Sequence, residues 1–455
     1  MEMVLSAEDA KDWVYKGEGA ANLILAYRGS SPALLGKVLR IQKVPKDGAQ
    51  PTNTSVLLSR HEQLLWGDVI ELLESLSKDN LGQVFAMHVM SRFLGAKHID
   101  SGIRVLVSKG FLQSVEINVQ SHRPISRVNA AKIDTLSDSA LLISDHSIFA
   151  GTPREGTSIA VEIKPKCGFL PSSEYIAKAN SIKKHVTRYK MHQLLKLQHG
   201  EILKASECDP LDLFSQSKDR IRRAIKALFA APQNNLRVFL NGSLIFGGMG
   251  GAEDKVHSRE ASRNFEDLLE LSGVQLSTFI ELVGEALHKS GVLDPLLATQ
   301  KLDVLDIEGA IHAYYDVISQ PCLVCENTTD AELLNHYSQL HSLPMEQSLK
   351  IVRDYLISAT AKDCSLMISF RPRENGVVAS DCSSIFLKSS NQVFDYKVYF
   401  IDLDMKPLEK MVYYYELDQK IVDLYTRAEE IQRSSAQSWP MNNGDNCDRK
   451  MQCQS

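Results

Sequence analysis

The hydrophobic rhythm changes partway along this chain of 455 residues, and that change limits the folds open to it. Short apolar runs come first, at residues 13–16, 23–27, 36–41, 103–107 and 115–119. Glycine, proline or polar clusters separate them, as expected for strands. Only residues 61–93 break this pattern, with Leu64, Leu65, Val69, Leu72, Leu73 and Leu76 at helical spacing. Ser6, followed by Glu8 and Asp9, has the form of a helix N-cap with an acidic first turn. Short strands are expected at 140–143 and 158–163. Beyond them helical periodicity dominates, at 182–197, 217–229, 265–288, 307–318, 346–359 and 413–433. Two late strands, 364–370 and 394–403, interrupt it. The pattern predicts an α+β chain, with a strand-rich first part of about 150 residues and a larger, mostly helical remainder. The length suits two to four domains or one large bilobal one. The glycine-rich stretch 242–262 reads as a mobile surface loop, and the polar tail 434–455 as disordered.

Charge narrows the function. The 51 Lys and Arg against 56 Asp and Glu give a net charge of −5, which disfavours a protein that coats nucleic acid. No apolar run approaches the roughly 18 residues of a membrane helix, and the acidic N-terminus lacks a signal core. The chain is therefore expected to be soluble and intracellular, in the cytoplasm, the nucleus or both. Against this acidic background, residues 164–196 hold eight Lys and Arg and one acid, Glu174, a net +7. The run opens with Lys164-Pro165-Lys166 at a strand end. Lys184, Arg188, His192 and Lys196 then follow four apart, the spacing of one helix face. Such a patch suits a compact polyanion, or is a solvated basic face.

Three further constellations carry chemistry. Gly17-Glu18-Gly19 lies between two strands. It either lets backbone N–H groups approach phosphates, with Lys37 or Arg40 supplying a cation from the next strand, or forms a plain hairpin. Asp363 opens one late strand, and Asp402 and Asp404 close another. Carboxylates so placed hold Mg²⁺ or accept a hydroxyl proton, and also simply form turns. Eight cysteines are too few for a disulfide framework in a chain of this length, but Cys322 and Cys325 form one C-x-x-C. With His312 and His341 they make a four-ligand zinc set. His336 is an alternative ligand, and two unrelated thiols are the plainer reading.

Taken together, these segments resemble inositol-pentakisphosphate 2-kinases, particularly the plant members. The resemblance runs from about Glu2 to about Arg427. It rests on residues 17–22 (GEGAAN), 127–131 (RVNAA), 162–169 (EIKPKCGF), 188–196 (RYKMHQLLK), 232–237 (PQNNLR), 361–365 (AKDCS) and 402–407 (DLDMKP). It implies a two-lobed inositol-phosphate kinase fold distantly similar to protein kinases, with an N-lobe over 1–145, a C-lobe over 146–433 and a tail over 434–455. It implies ATP-dependent phosphorylation of the 2-hydroxyl of inositol 1,3,4,5,6-pentakisphosphate by a monomer. A non-catalytic inositol-polyphosphate sensor is the rival. The resemblance assigns Gly19, Ala20, Asn22, Arg40 and Arg237 to ATP phosphates, Ser144, His146 and Glu162 to the nucleoside, Asp402 to Mg²⁺ and Asp363 to the base. Arg127, Lys164, Lys166, Arg188, Lys196, Asn234, Lys406, Lys410 and Tyr414 fall to substrate phosphates, and His312, Cys322, Cys325 and His341 to structural Zn²⁺. Two positions depart from the family pattern. Ser144 stands where Asn is expected. Lys410 stands where Arg is expected, keeping the charge but losing the bidentate fork.

Overall fold

The computed structural model describes residues 3–19, 21–46, 57–75, 77–149, 157–248, 265–270, 273–373 and 383–437. Two sheets organise them. The first comprises β1 (Val4–Leu5), β2 (Trp13–Glu18), β3 (Asn22–Tyr27), β4 (Lys37–Pro45), β5 (Ile103–Val107), β6 (Ala131–Ile133) and β7 (Ser139–Ser144). Its order is β1-β5-β7-β4-β3-β2, with β6 also paired to β4. The second comprises β8 (Ile159–Ile163), β9 (Leu236–Leu240), β10 (Ser243–Phe246), β11 (Ser365–Pro372), β12 (Ser383–Leu387) and β13 (Gln392–Ile401), in the order β10-β9-β8-β11-β13-β12.

Each sheet has its own core. In the first, Leu23, Leu25, Leu39, Ile41 and Val105 pack on Phe111, Leu112, Val115 and Val119 of the Lys109–Val119 helix. This corrects the strand expected at 115–119. Val-Glu-Ile-Asn-Val does alternate, but Ser108 caps a helix by accepting from Phe111 N at 3.1 Å. Phe111, Leu112, Val115 and Val119 then recur at three and four residues, and tertiary burial overrides the β-branched local preference. The larger core gathers around the second sheet. It takes in Leu65, Trp66, Leu72, Phe85 and Met90 from the short helices between residues 60 and 94.

Other expectations need finer boundaries. The helix expected over 182–197 is a 3-10 segment, Lys178–Lys184, followed by the Arg188–Gln198 helix, whose Thr187 cap accepts from Lys190 N. Lys184 therefore lies outside the helix, while Arg188, His192 and Lys196 do share one face. The helix expected over 265–288 is interrupted at Gly273 (φ +79°), between helical residues 265–270 and Leu276–Ser290. The last helix runs from Lys410 to Gln437, so 434–437 are helical and 438–455 lie outside the described residues. The glycine-rich loop reading falls largely outside them too, and Ser243–Phe246 within it is a strand.

Contacts tie the two sheets together. Lys16 of β2 donates to Asp145 (2.7 Å), Ser147 (2.7 Å) and the Gly242 carbonyl (2.9 Å). His98 Nδ1 meets the Val398 carbonyl at 2.9 Å, and Ile99 bridges to Phe400. No helix among the described residues is long and apolar enough to cross a membrane.

Candidate functional site

β8 is buried along its whole length at the centre of the second sheet, and the chain leaves it straight into Lys164-Pro165-Lys166. The neighbouring β11 begins just after Asp363, the last residue of the Met345–Asp363 helix. β13 runs antiparallel to β11 and ends just before Asp402. One sheet end therefore collects two lysines and two carboxylates. Lys166 (φ +63°) and Asp402 (φ +61°) are both left-handed, a conformation that costs a non-glycine residue about 1 kcal/mol or more and concentrates at functional sites.

The ion pairs at this end are close. Lys406 Nζ donates to Asp363 Oδ2 at 2.9 Å, and Lys166 Nζ lies 3.9 Å from Oδ1. Lys164 Nζ reaches Asp402 Oδ2 at 3.2 Å and the Asp363 carbonyl at 3.4 Å. Burial works to raise the Asp363 carboxyl, but Lys406, Lys164 and Lys166 outweigh it and hold it below the usual range. Burial also works against the Lys164 ammonium, which Asp402, Asp363 and Glu162 raise overall. Lys166 goes the other way. Burial, with Lys164, Lys196 and Lys406 nearby, lowers it to about 8 against the pull of Asp363. His192, lowered by burial and then by Arg188, Lys196 and Lys166 to about 3, is a neutral ring among cations.

These side chains border a cavity of about 500 Å³. Of the residues assigned to substrate, Lys166, Arg188, Lys196, Asn234, Lys406, Lys410 and Tyr414 line it together with Asp363. Lys164 stands beside them through Asp402. Arg127 is not part of this lining. It sits on the Ile125–Ala130 helix, its carbonyl 3.5 Å from Arg123 Nη2. A cavity lined by so many cations, with the Asp363 carboxylate among them, can hold a polyanion and accept a proton from it.

The residues assigned to nucleotide lie on both sheets. The Gly19 amide donates to the Asn22 carbonyl at 2.9 Å, closing the turn between β2 and β3; Ala20 lies outside the described residues. With its amide oxygen toward Arg40, Asn22 accepts from Nε at 3.1 Å and Nη2 at 2.6 Å, and Arg40 also pairs with Asp404. Lys37, at the start of β4, instead donates to Ser144 Oγ at 3.0 Å. His146 meets Asp100 at 3.1 Å and stacks on Tyr399 at 3.9 Å. Glu162 is buried, accepting from Arg237 across the β8–β9 register at 3.0 Å and from Ser365 at 3.0 Å. Glu18, in the middle of the glycine motif, points inward. Arg123 donates to both of its oxygens (2.9 and 3.0 Å) and Lys43 pairs with it, so this residue fixes the turn rather than serving a ligand.

The thiols and histidines form a second centre on the Asp306–Val317 and Ala331–His341 helices and on the short Leu323–Glu326 helix between them, which Cys322 caps. His312 Nδ1 and His341 Nε2 lie 3.2 Å apart, with Cys322 Sγ 3.3 Å from His312 Nδ1 and Cys325 Sγ 3.4 Å from His341 Nε2. All four donor atoms fall within 4.8 Å of one another. Tetrahedral bonds of about 2.0–2.3 Å put donors roughly 3.3–3.8 Å apart, so this set fits one metal ion. Asp316 Oδ1 sits 2.6 Å from His341 Nδ1, where it orients the ring as an outer carboxylate does. His336 is not in this group; its ring packs against Tyr175, tilted by 40°, with centroids 4.6 Å apart.

Sequence reasoning missed the buried ion pairs within the cavity wall. Lys183 is buried against Asp306, Glu308 and Asp418, and Lys362 donates to Asp303 at 2.6 Å. Lys183 belongs to the basic run 164–196, but nothing local marks it as buried.

Fold and site define an α+β protein with a cation-lined, carboxylate-bearing cavity and a separate Cys/His centre. The sequence matches the family described as inositol-pentakisphosphate 2-kinase over residues 15–420. It is 64% identical over 431 residues to the inositol-pentakisphosphate 2-kinase of Oryza sativa subsp. japonica, covering 95% of this chain and 97% of that one. It is 51% identical over 448 residues to that of Arabidopsis thaliana (96% and 98%), and 29% identical over 496 residues to that of Danio rerio (94% and 95%). The chain belongs to the inositol-pentakisphosphate 2-kinase family and is an enzyme of it.

Proposed function

We propose that the chain transfers the γ-phosphoryl group of ATP to the 2-hydroxyl of inositol 1,3,4,5,6-pentakisphosphate, giving inositol hexakisphosphate (phytate) and ADP. The observation that carries this reading is the ionised Asp363 among Lys166, Arg188, Lys196, Lys406 and Lys410 in one cavity. Five phosphates need several cations close together, and the hydroxyl that attacks needs a base beside it. Asp363 takes the hydroxyl proton as the oxygen attacks the γ-phosphorus and the bond to ADP breaks. Lys164, Lys166, Arg188, Lys196, Asn234, Lys406, Lys410 and Tyr414 hold the substrate phosphates, so that most of the catalysis is in-line positioning.

Gly19, Ala20, Asn22, Arg40 and Arg237 take the ATP phosphates, and Ser144, His146 and Glu162 the nucleoside. Asp402 would hold Mg²⁺, which neutralises phosphate charge when bound. The strand-rich part (1–145) acts as N-lobe and 146–433 as C-lobe of a kinase-like pair working as a monomer. Arg127 lies off the cavity, so its share in substrate binding requires the N-lobe to close. Equal protease sensitivity of 1–145 with and without substrate would count against closure. His312, Cys322, Cys325 and His341 hold structural zinc, since four protein donors leave no open position.

The test is turnover with Mg-ATP and the pentakisphosphate, with products separated by anion exchange. The hexakisphosphate should form. Tight binding without product would favour a sensor, and neither binding nor product would end the reading.

A further inference from the structure

We propose that Asp418 is a positioning residue for substrate binding: it ties the Arg188 guanidinium by its Nε and leaves the terminal fork for a phosphate in the cavity. This rests on reading the cavity as the inositol-phosphate site. Arg188 opens the Arg188–Gln198 helix, and Asp418 lies 230 residues away on the Lys410–Gln437 helix. Both line the cavity. Asp418 Oδ1 accepts from Arg188 Nε at 3.1 Å, and Oδ2 accepts from Lys183 Nζ at 2.6 Å.

The carboxylate is itself immobilised. Lys183 is also gripped by Asp306 and by Glu308 Oε1 at 2.9 Å, and Glu308 Oε2 accepts from Ala177 N (2.9 Å) and Asn180 Nδ2 (3.0 Å). The Asp418 side chain is only 4% exposed, whereas Arg188 is 38% exposed, tied at one edge and open at the other.

The charge balance argues for orientation over neutralisation. Among the described residues, Asp306, Glu308 and Asp418 form direct ion pairs with two cations, Lys183 and Arg188, and burial pushes the Asp306 carboxyl up to about 7. Carboxylates behind an anion site weaken its attraction, unless they fix the direction of a cation that must meet a phosphate with both terminal nitrogens. An arginine held in place before binding gives up less rotamer freedom when the phosphate arrives. Lys183 anchors Asp418, and Asp418 aims Arg188.

The test uses the full chain as wild type, Asp418→Asn, Arg188→Ala, the double variant and Arg188→Lys. KM and kcat are measured for both substrates, with the dissociation constant for the pentakisphosphate. Asp418→Asn should weaken pentakisphosphate binding about tenfold, the scale of one charge-assisted hydrogen bond, while kcat and KM for ATP stay within about twofold. The double variant should bind no more weakly than Arg188→Ala, because Asp418 acts through that side chain. Arg188→Lys, which keeps charge without the tied edge, should also lose about tenfold.

Additive losses, a loss shared equally with ATP, or wild-type affinity in Arg188→Lys would overturn the proposal; the last result needs no Asp418 variant to fold. Wild-type turnover with an unaffected Asp418→Asn would sink this inference alone. A wild type that neither binds nor converts the pentakisphosphate would sink the functional reading with it.

Discussion

Two lysines two residues apart, Lys164 and Lys166, should act on the stability of the free protein in opposite directions. Lys166 is lowered from 10.5 to about 8, because burial and three neighbouring ammonium groups outweigh Asp363. At about 1.4 kcal/mol per pKa unit, holding it charged costs the folded protein about 3 kcal/mol at pH 7. Its folded pKa lies below its unfolded one, so this cost is complete below pH 8 and fades as the pH rises toward 10.5. Lys166→Met removes the charge and keeps the stem, so the variant should melt a few degrees above wild type at pH 7. The gap should close near pH 10.5. Lys164 is raised overall by Asp402, Asp363 and Glu162, so Lys164→Met should melt below wild type. The pentakisphosphate should stabilise wild type strongly and Lys166→Met much less, since the cation that destabilises the free protein is one proposed to hold the ligand. Thermal unfolding at both pH values, with and without ligand, reads all of this. A Lys166→Met protein less stable at pH 7, or a gap unchanged by pH, would refute the reasoning.

Glu18→Gln should destabilise the protein by about 3 kcal/mol, because Lys43 and Arg123 are left in a pocket where all three side chains are essentially unexposed. It should raise KM for ATP more than for the pentakisphosphate; equal effects in a chemical-denaturation and kinetic series would contradict its role in fixing the glycine turn. Cys322→Ser with Cys325→Ser should abolish bound zinc by elemental analysis and lower the melting temperature by several degrees. An unchanged melting curve would remove the structural zinc. Chelator treatment of wild type should move melting the same way.

What could be read in advance depended on how local each signal was. The Lys-Pro-Lys exit from β8 was legible because a buried strand ending in charge has to emerge somewhere. The His-Cys-Cys-His set was legible because its donors are chemically distinctive, but only folding chose His341 over His336, five residues apart on one helix. The segment 115–119 misled because alternation over five residues satisfies a strand as well as one face of a helix that begins earlier, at Lys109. Lys184 was placed on the wrong element because Thr187 caps the helix after it. The pairings Arg40–Asp404 and Arg188–Asp418 span 364 and 230 residues. No periodicity carries such a contact; it exists only once both sheets and the last helix are packed.

The proposed mechanism gives the transfer step to Asp363 and the binding to the surrounding cations. The most direct measurement is single-turnover transfer by Asp363→Asn with Mg-ATP, with pentakisphosphate affinity measured on the same protein. Transfer should fall at least about a hundredfold, the usual range for a lost acid–base group. Affinity should hold or tighten, because the cations remain and a carboxylate near phosphates has gone. Transfer at the wild-type rate, or affinity lost in step with transfer, would rule out this division of roles.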